Sequence, residues 1–294
     1  MNRREFIQSS ALTLSALGLG IHAEAAKKKF KLAYSAITWN GNDLVAIKDI
    51  AALGFKGIQL RANTYAPFKD NPQELKDTLD KNGLKLVMFS SGNVGILDDI
   101  TKDRETHLNH AKFIKALGGN SLQITNTSRP KDRLPTTDEL KKYAKNMSAV
   151  AKAVLEETGV QPAWHNHMNQ LGETPEEVDI IINEMDTKHI KLLLDVAHYT
   201  QGGGKPEEAV LKYKNILFAT HIKDTKAVES KSGYQFVELG QGRVEFPKIF
   251  DALGKIKFDG WNIIELDSVP VKGRTALECG QTSKKYLESI NVKF

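Results

Sequence analysis

Eight short apolar runs, separated by segments of helical length, constrain this chain more than any other feature. They fall at residues 30–39, 57–60, 84–89, 121–125, 160–165, 190–196, 216–222 and 261–266. Most are continuous rather than alternating, as strands are when both faces of a parallel sheet are covered. Helix signals stand between them. Thr136 and Glu139 have the spacing of a capping box,. Leu140, Tyr143, Met147, Val150 and Val154 then follow along one helical face,. Thr174-Pro175-Glu176-Glu177 and Asn71-Pro72-Gln73-Glu74 each place a capping residue before a proline at the first helical position,. Gly54, Gly83, Gly118 and Gly159 stand where a helix must stop before a strand,. Eight strand–helix units in 294 residues predict an α/β fold, a (β/α)8 TIM barrel in a single domain,. A doubly wound open sheet calls for a Gly-x-Gly-x-x-Gly turn after the first strand, and Trp39-Asn40-Gly41-Asn42 offers none,. Pro162 cannot donate to a sheet ladder and is expected at the start of the fifth strand,. The longest irregular section, residues 223–243, is expected to hold a small hairpin at 234–239,.

Residues 1–25 read as an address. Arg3-Arg4-Glu5-Phe6-Ile7 resembles a twin-arginine signal, an apolar stretch runs from Ala11 to Ile21, and Ala23-Glu24-Ala25 has a small-x-small cleavage pattern,. A Sec signal or a buried amphipathic helix are the other readings of this stretch. Residues 26–294 would then be the barrel, exported to the periplasm without stable membrane association after cleavage. The single cysteine, Cys279, permits no intrachain disulfide,. The net charge of +5 comes from lysines interleaved with acids rather than clustered, so no nucleic-acid partner is expected,.

The chemistry gathers at the ends of the last four runs. They close on Trp164-His165-Asn166-His167, Leu194-Asp195-Val196-Ala197-His198, Thr220-His221-Ile222-Lys223-Asp224 and Ile264-Glu265-Leu266-Asp267. Barrel active sites sit at the C-terminal ends of the strands. A buried carboxylate is costly unless paired or metal-bound, and two imidazoles with two carboxylates suit a divalent cation. His165, Asp195, His221 and Glu265 are therefore expected to ligate one divalent metal ion, Mn²⁺ or Zn²⁺ first and Mg²⁺ or Co²⁺ next. Taken singly, Asp195 reads equally well as a helix cap, and a lone histidine as a core residue. Glu265, inside Ile-Ile-Glu-Leu, is the hardest to explain without a partner,. His107 and His110 join no carboxylate pattern and read as surface or packing residues.

These strand ends, with Gly54-Phe55-Lys56-Gly57-Ile58-Gln59-Leu60, Asp195-x-x-His198 and Leu239-Gly240-Gln241-Gly242, resemble the xylose-isomerase-like barrel superfamily of sugar isomerases and epimerases. The match covers nearly all of the chain after residue 25. The resemblance implies removal of a proton next to a carbonyl through an enediolate, with Glu, Asp, His and Glu on strands five to eight holding the metal. This chain departs from that pattern: it has His165 where many members have Glu, and Gln59 where Glu is frequent. An imidazole differs from a carboxylate in charge and pKa.

The expectation is a sugar isomerase or epimerase acting on a non-phosphorylated sugar. Glu265, His165 and Lys223 would be catalytic, with His167, His198 and Trp39 on the substrate. The alternatives are a 3-keto-glycoside lyase or hydratase using the same metal site, and a non-catalytic sugar-binding barrel. An abasic-DNA endonuclease would need more His and Glu ligands than Gln59-Leu60-Arg61, Ser90-Ser91 and Thr125-Asn126 supply. The expected partner is a small sugar or glycoside, with homo-oligomerisation left open.

Overall fold

Inward-facing side chains decide where the site lies. In the computed structural model, which describes residues 29–293, the apolar runs become β1 (Lys31–Ser35), β2 (Gly57–Arg61), β3 (Lys85–Val94), β4 (Ser121–Asn126), β5 (Gln161–His165), β6 (Lys191–Asp195) and β7 (Leu217–Ile222). A hairpin, β8 (Asp224–Ala227) and β9 (Tyr234–Val237), precedes the last strand, β10 (Trp261–Ile264). β1 to β7 and β10 form a closed parallel barrel in which β1 lies between β10 and β2. Helices between the strands make this a (β/α)8 TIM barrel,. The expected signal peptide lies outside the described residues.

Ala33, Val87, Met88, Ala163, Leu193, Ala219 and Ile263 plug the barrel interior. The plug is tight: a Cβ on Gly57 would lie 2.8 Å from Ala33 Cβ and 2.9 Å from Val87 Cγ1. Strand side chains alternate with period two, so the next inward residues stand one layer higher. Those residues are Gln59, His165, Asp195, His221 and Glu265, two positions after Gly57, Ala163, Leu193, Ala219 and Ile263. The opposite faces pack on the helices, with Ile58, Leu60, Trp164, Leu192 and Ile264 in the outer core.

The punctuation follows the sequence closely. Thr136 and Glu139 form a reciprocal capping box on the helix Thr137–Thr158. That helix ends at Gly159, whose φ of 72° is cheap only without a Cβ,. Thr174 caps Pro175–Glu184 by accepting Glu177 N–H. Asn71 makes no such cap; its amide donates to Glu74 Oε2 instead.

Three boundaries differ most from expectation. β1 stops at Ser35 because Ala36–Trp39 winds into a 3₁₀ turn. β3 runs on to Val94 through a register shift between Ser90 and Gly92 against β4. The hairpin begins ten residues earlier than expected: 224–227 pairs with 234–237, so the expected segment supplies only its second strand and residues 238–239 fall outside it. Pro162 is the second residue of β5, opposite Leu122. No helix of the described residues is long and apolar enough to cross a membrane.

Candidate metal centre

Three of the four strand-end residues arrive with one ligand atom free, and the fourth, Glu265, shares its Oε1 with Lys223. His221 donates through Nε2–H to Gln59 Oε1 at 2.8 Å, and Gln59 donates in turn to Gln123 Oε1 at 2.7 Å. This fixes the imidazole with Nδ1 bare, 3.6 Å from Asp195 Oδ2 and 3.4 Å from Glu265 Oε1. Asp195 serves as cap and ligand candidate at once. Its Oδ1 accepts His198 N–H at 2.8 Å, capping the helix Val196–Gln201, while Oδ2 stays uncommitted. Asn166 steadies the same residue by accepting its backbone N–H at 2.9 Å.

Buried atoms without a hydrogen-bond partner are rare in folded proteins. His165 Nδ1, Asp195 Oδ2 and His221 Nδ1 are three of them, and they converge. One ligand atom from each of His165, Asp195, His221 and Glu265 lies within 4.8 Å of the others. Around them the carboxylates of Asp195, Glu265 and Asp267 face a single ammonium, Lys223. The bare lone pairs and the excess of formal negative charge fit a divalent metal ion.

A second trio, His165, His167 and His198, is also close enough to share an ion. It fits less well. Both ring nitrogens of His198 are already engaged: Nδ1 accepts Met168 N–H, and Nε2 lies 3.3 Å from Lys223 Nζ and 3.9 Å from Asp195 Oδ2. No lone pair is left for a metal.

Burial first, then Lys223 and the neighbouring imidazoles, push His165 and His198 well below the ordinary histidine range. Burial and Lys223 also lower His167. Neutral imidazole is the form that ligates. Burial alone would raise Glu265, but the Lys223 ammonium beside it overcomes this and lowers the carboxyl below its ordinary value. Burial likewise opposes the charge on Lys223, and Asp267, Glu265 and Asp195 reverse that, raising it above the usual lysine range. Its Nζ donates to Asp267 Oδ1 at 2.5 Å and Glu265 Oε1 at 3.2 Å, under the ring of Phe236.

Above the cluster opens a cavity of about 190 Å³ whose walls include Gln59, Arg61, Gln123, His167 and Glu265. His167 donates through Nδ1–H to Met168 O at 2.7 Å, which leaves Nε2 as an acceptor. Lys223 and His198 are buried and do not line the cavity. Their contacts are with other side chains and backbone: Lys223 with Asp267 and Glu265, His198 with Met168 N–H. Trp39, expected on the substrate, is not brought to the site. The 3₁₀ turn after β1 carries it into the outer core, where its ring meets Tyr34 edge-on and its N–H donates to Asp49 Oδ2 at 2.7 Å. His107 and His110 are packing residues: both Nδ1 atoms contact Ser91 Oγ, at 2.6 and 2.8 Å. The sequence reading missed Gln123, Arg61 and Asp267. For Gln123 a signal existed, since it interrupts an apolar strand as Gln59 does, two residues above the strand start.

The sequence matches the xylose isomerase-like TIM barrel family over residues 47–290. The chain belongs to that family. It is 24% identical to the inosose dehydratase of Lacticaseibacillus casei (strain BL23), over 90% of this chain and 97% of that protein. Among solved structures, the IOLI protein with a bound zinc atom superposes with a TM-score of 0.72 at 19% identity, covering 89% of this chain and 98% of that one. The probable 3-DHS dehydratase AsbF of Bacillus anthracis gives a TM-score of 0.71 at 17% identity, covering 88% and 99%. These superpositions establish the fold.

The expectation of an isomerase or epimerase is corrected by these relatives, because a dehydratase is a carbon–oxygen lyase. The site gives a physical reason. Epimerisation by paired carboxylates needs one on each face of the substrate, and the fifth-strand member of this family member is the imidazole His165.

Proposed function

We propose that this protein is a metal-dependent carbon–oxygen lyase that eliminates a group β to the carbonyl of a keto-sugar derivative, with 3-keto-glycosides as the preferred class. The observation that carries the reading is His165, a neutral buried imidazole with a bare Nδ1 in the ligand set. It leaves Glu265 as the only carboxylate among the cluster residues that line the cavity, apart from Asp267, which is tied to Lys223. Elimination breaks one C–H bond on one face and needs no opposed pair of bases. The dehydratase relatives support the same reaction type. The export pattern of residues 1–25 supports a free glycoside over a phosphorylated sugar.

His165, Asp195, His221 and Glu265 would hold the ion, with zinc or manganese suited to mixed nitrogen and oxygen ligands. The chemistry such an ion supplies when bound is Lewis acidity toward a carbonyl. The protein's own residues do the rest. His167 Nε2, neutral and facing the cavity, takes the proton from the carbon next to the carbonyl,. The electron pair released becomes the C=C bond as the β C–O bond breaks. The departing oxygen keeps that bond's pair and takes up the proton that His167 has accepted. Lys223 holds Glu265 and Asp267 in place.

The test is to incubate residues 26–294, reconstituted with zinc or manganese, with a 3-keto-glucoside and to follow the conjugated enone by absorbance and the released alcohol by NMR. Metal-dependent release of both is expected. Exchange of the α-hydrogen with no release of the alcohol would overturn the lyase reading.

A further inference from the structure

The cavity over the cluster does not end at the barrel wall. A second, larger hollow of about 400 Å³ adjoins it on the side of β1 to β3, and the two share Arg61, Ser90 and Thr125 as common wall. Small-molecule sites commonly occupy about 300–1,000 Å³. The inner cavity alone, at about 190 Å³, falls below that range, and the two together fall within it.

The outer hollow has a definite chemistry. Asn40, Asn63, Asn93, Ser90 and Thr125 present amides and hydroxyls, and its largest aliphatic side chain is that of Ala62. No aromatic platform lies there. The backbone keeps the hollow open: β3 bulges between Ser90 and Gly92, and a Cβ built on Gly92 meets nothing within 4 Å,. Arg61 stands at the junction. Among the described residues its guanidinium has no hydrogen bond and no carboxylate within 4.0 Å. The carboxylate that feels its charge, Asp43, is already engaged by Asn63 at 2.6 Å and Thr64 at 2.8 Å. An arginine with its donor fork free, between two polar hollows, is placed to donate to oxygens of a ligand that spans both.

We infer that the outer hollow is a subsite for a second sugar unit, so that the ligand is a two-ring glycoside with one ring over the metal cluster and its linkage oxygens at Arg61. The amide and hydroxyl walls suit a polyhydroxylated ring; an aryl or alkyl aglycone would find no apolar surface. The assignment of the inner ring rests on the proposed lyase reading, whereas the two-ring preference is a binding property that does not require turnover.

Calorimetry on the metal-loaded protein with unoxidised, unreactive sugars tests it: glucose and methyl glucoside against cellobiose and sophorose. At least a ten-fold tighter Kd for a disaccharide is expected. The variant Ala62→Trp, which fills the hollow, should bring the two classes to equal affinity. The pair Asn40→Gly and Asn93→Ala deletes two amides at exposed positions, and Asn40 already has the positive φ (50°) that glycine tolerates. This pair should narrow the ratio without filling space, and it keeps the test decisive if the tryptophan variant folds poorly. Equal affinity of wild type for one-ring and two-ring ligands, or a ratio unmoved in the Asn40/Asn93 variant, overturns the subsite. Disaccharide preference in a protein that eliminates nothing from any keto-glycoside would retain the subsite and overturn the lyase reading instead.

Discussion

At the scale of the single residue, the site depends on side chains that never touch the metal position. Gln59 aims His221 by accepting its Nε2–H. Losing such an orienting partner costs about 10–100-fold in metal affinity. Gln59→Leu should therefore weaken zinc binding by that factor in a competition titration against a chelator, while far-UV circular dichroism stays native. Unchanged affinity would mean that the imidazole is held by packing alone. Glu265→Gln should lower elimination by at least about 10²-fold, since it removes a ligand charge and a cavity-facing carboxylate together. Measuring kcat on protein with confirmed metal content checks this.

His107 makes a different kind of statement. Burial holds it neutral and lowers its pKa from 6.5 to about 4. Between those values the unfolded chain binds the proton and the folded one does not, so stability rises with pH across this window. The contribution is present above pH 6.5 and is lost as pH falls toward 4, by about 3 kcal/mol at most. Urea midpoints at pH 7 and pH 4.5 should show the loss, and His107→Gln should shrink the difference between them. The ligand residues were legible because each is a polar residue ending an apolar run. Gln59 was legible only as a departure, because its partner stands 162 residues away and the layer they share exists only once the barrel closes.

At the scale of elements, the hairpin over the site hangs on one buried carboxylate. Asp224, at the start of β8, accepts N–H groups from Thr225, Gly240, Gly242 and Val244 at 2.8, 3.0, 2.8 and 3.1 Å. This explains the Leu239-Gly240-Gln241-Gly242 motif. A Cβ on Gly242 would fall 2.2 Å from Asp224 Oδ1 and 2.5 Å from Thr225 O. Gly242→Ala should cost about 1–3 kcal/mol in urea unfolding, the price of stranding these buried groups. It should also raise KM, because β9 carries Phe236, which covers Lys223 and meets His198 edge-on. A fully native KM would detach the hairpin from the site. The eight barrel strands were readable as strands, whereas their ends and the hairpin strand β8 were not. The run 30–39 looked continuous although a 3₁₀ turn takes Trp39 outward. β3 looked short because Ser90-Ser91-Gly92-Asn93 reads as a loop, although pairing with β4 carries it to Val94. In both places tertiary contacts, rather than local preference, set the boundary.

At the scale of the whole molecule, the metal and the fold are linked. A ligand that binds only the folded state stabilises it by about 2.7 kcal/mol when its free concentration is a hundred times Kd. For a chain of this size that corresponds to a rise in Tm of about 5–10 °C. Calorimetry before and after exhaustive chelation should show a fall of this order, reversed by adding zinc. An unchanged Tm would detach the four-residue cluster from any resident ion. The barrel itself was legible from eight runs and their helix signals, since closure is how eight parallel strands avoid exposed edges. The sequence could not show which walls would enclose space, because Arg61, Ser90 and Thr125 meet only through the twist of three neighbouring strands. One further feature bears on how the molecule is made. The seam closes where β10 inserts between β7 and β1, and Glu265 follows β10 directly. A ribosome delivers that strand last of the eight and the fourth candidate ligand immediately after it. Closure of the barrel and completion of the cation site are thus a single late event in synthesis, and a chain stopped before Trp261 forgoes both.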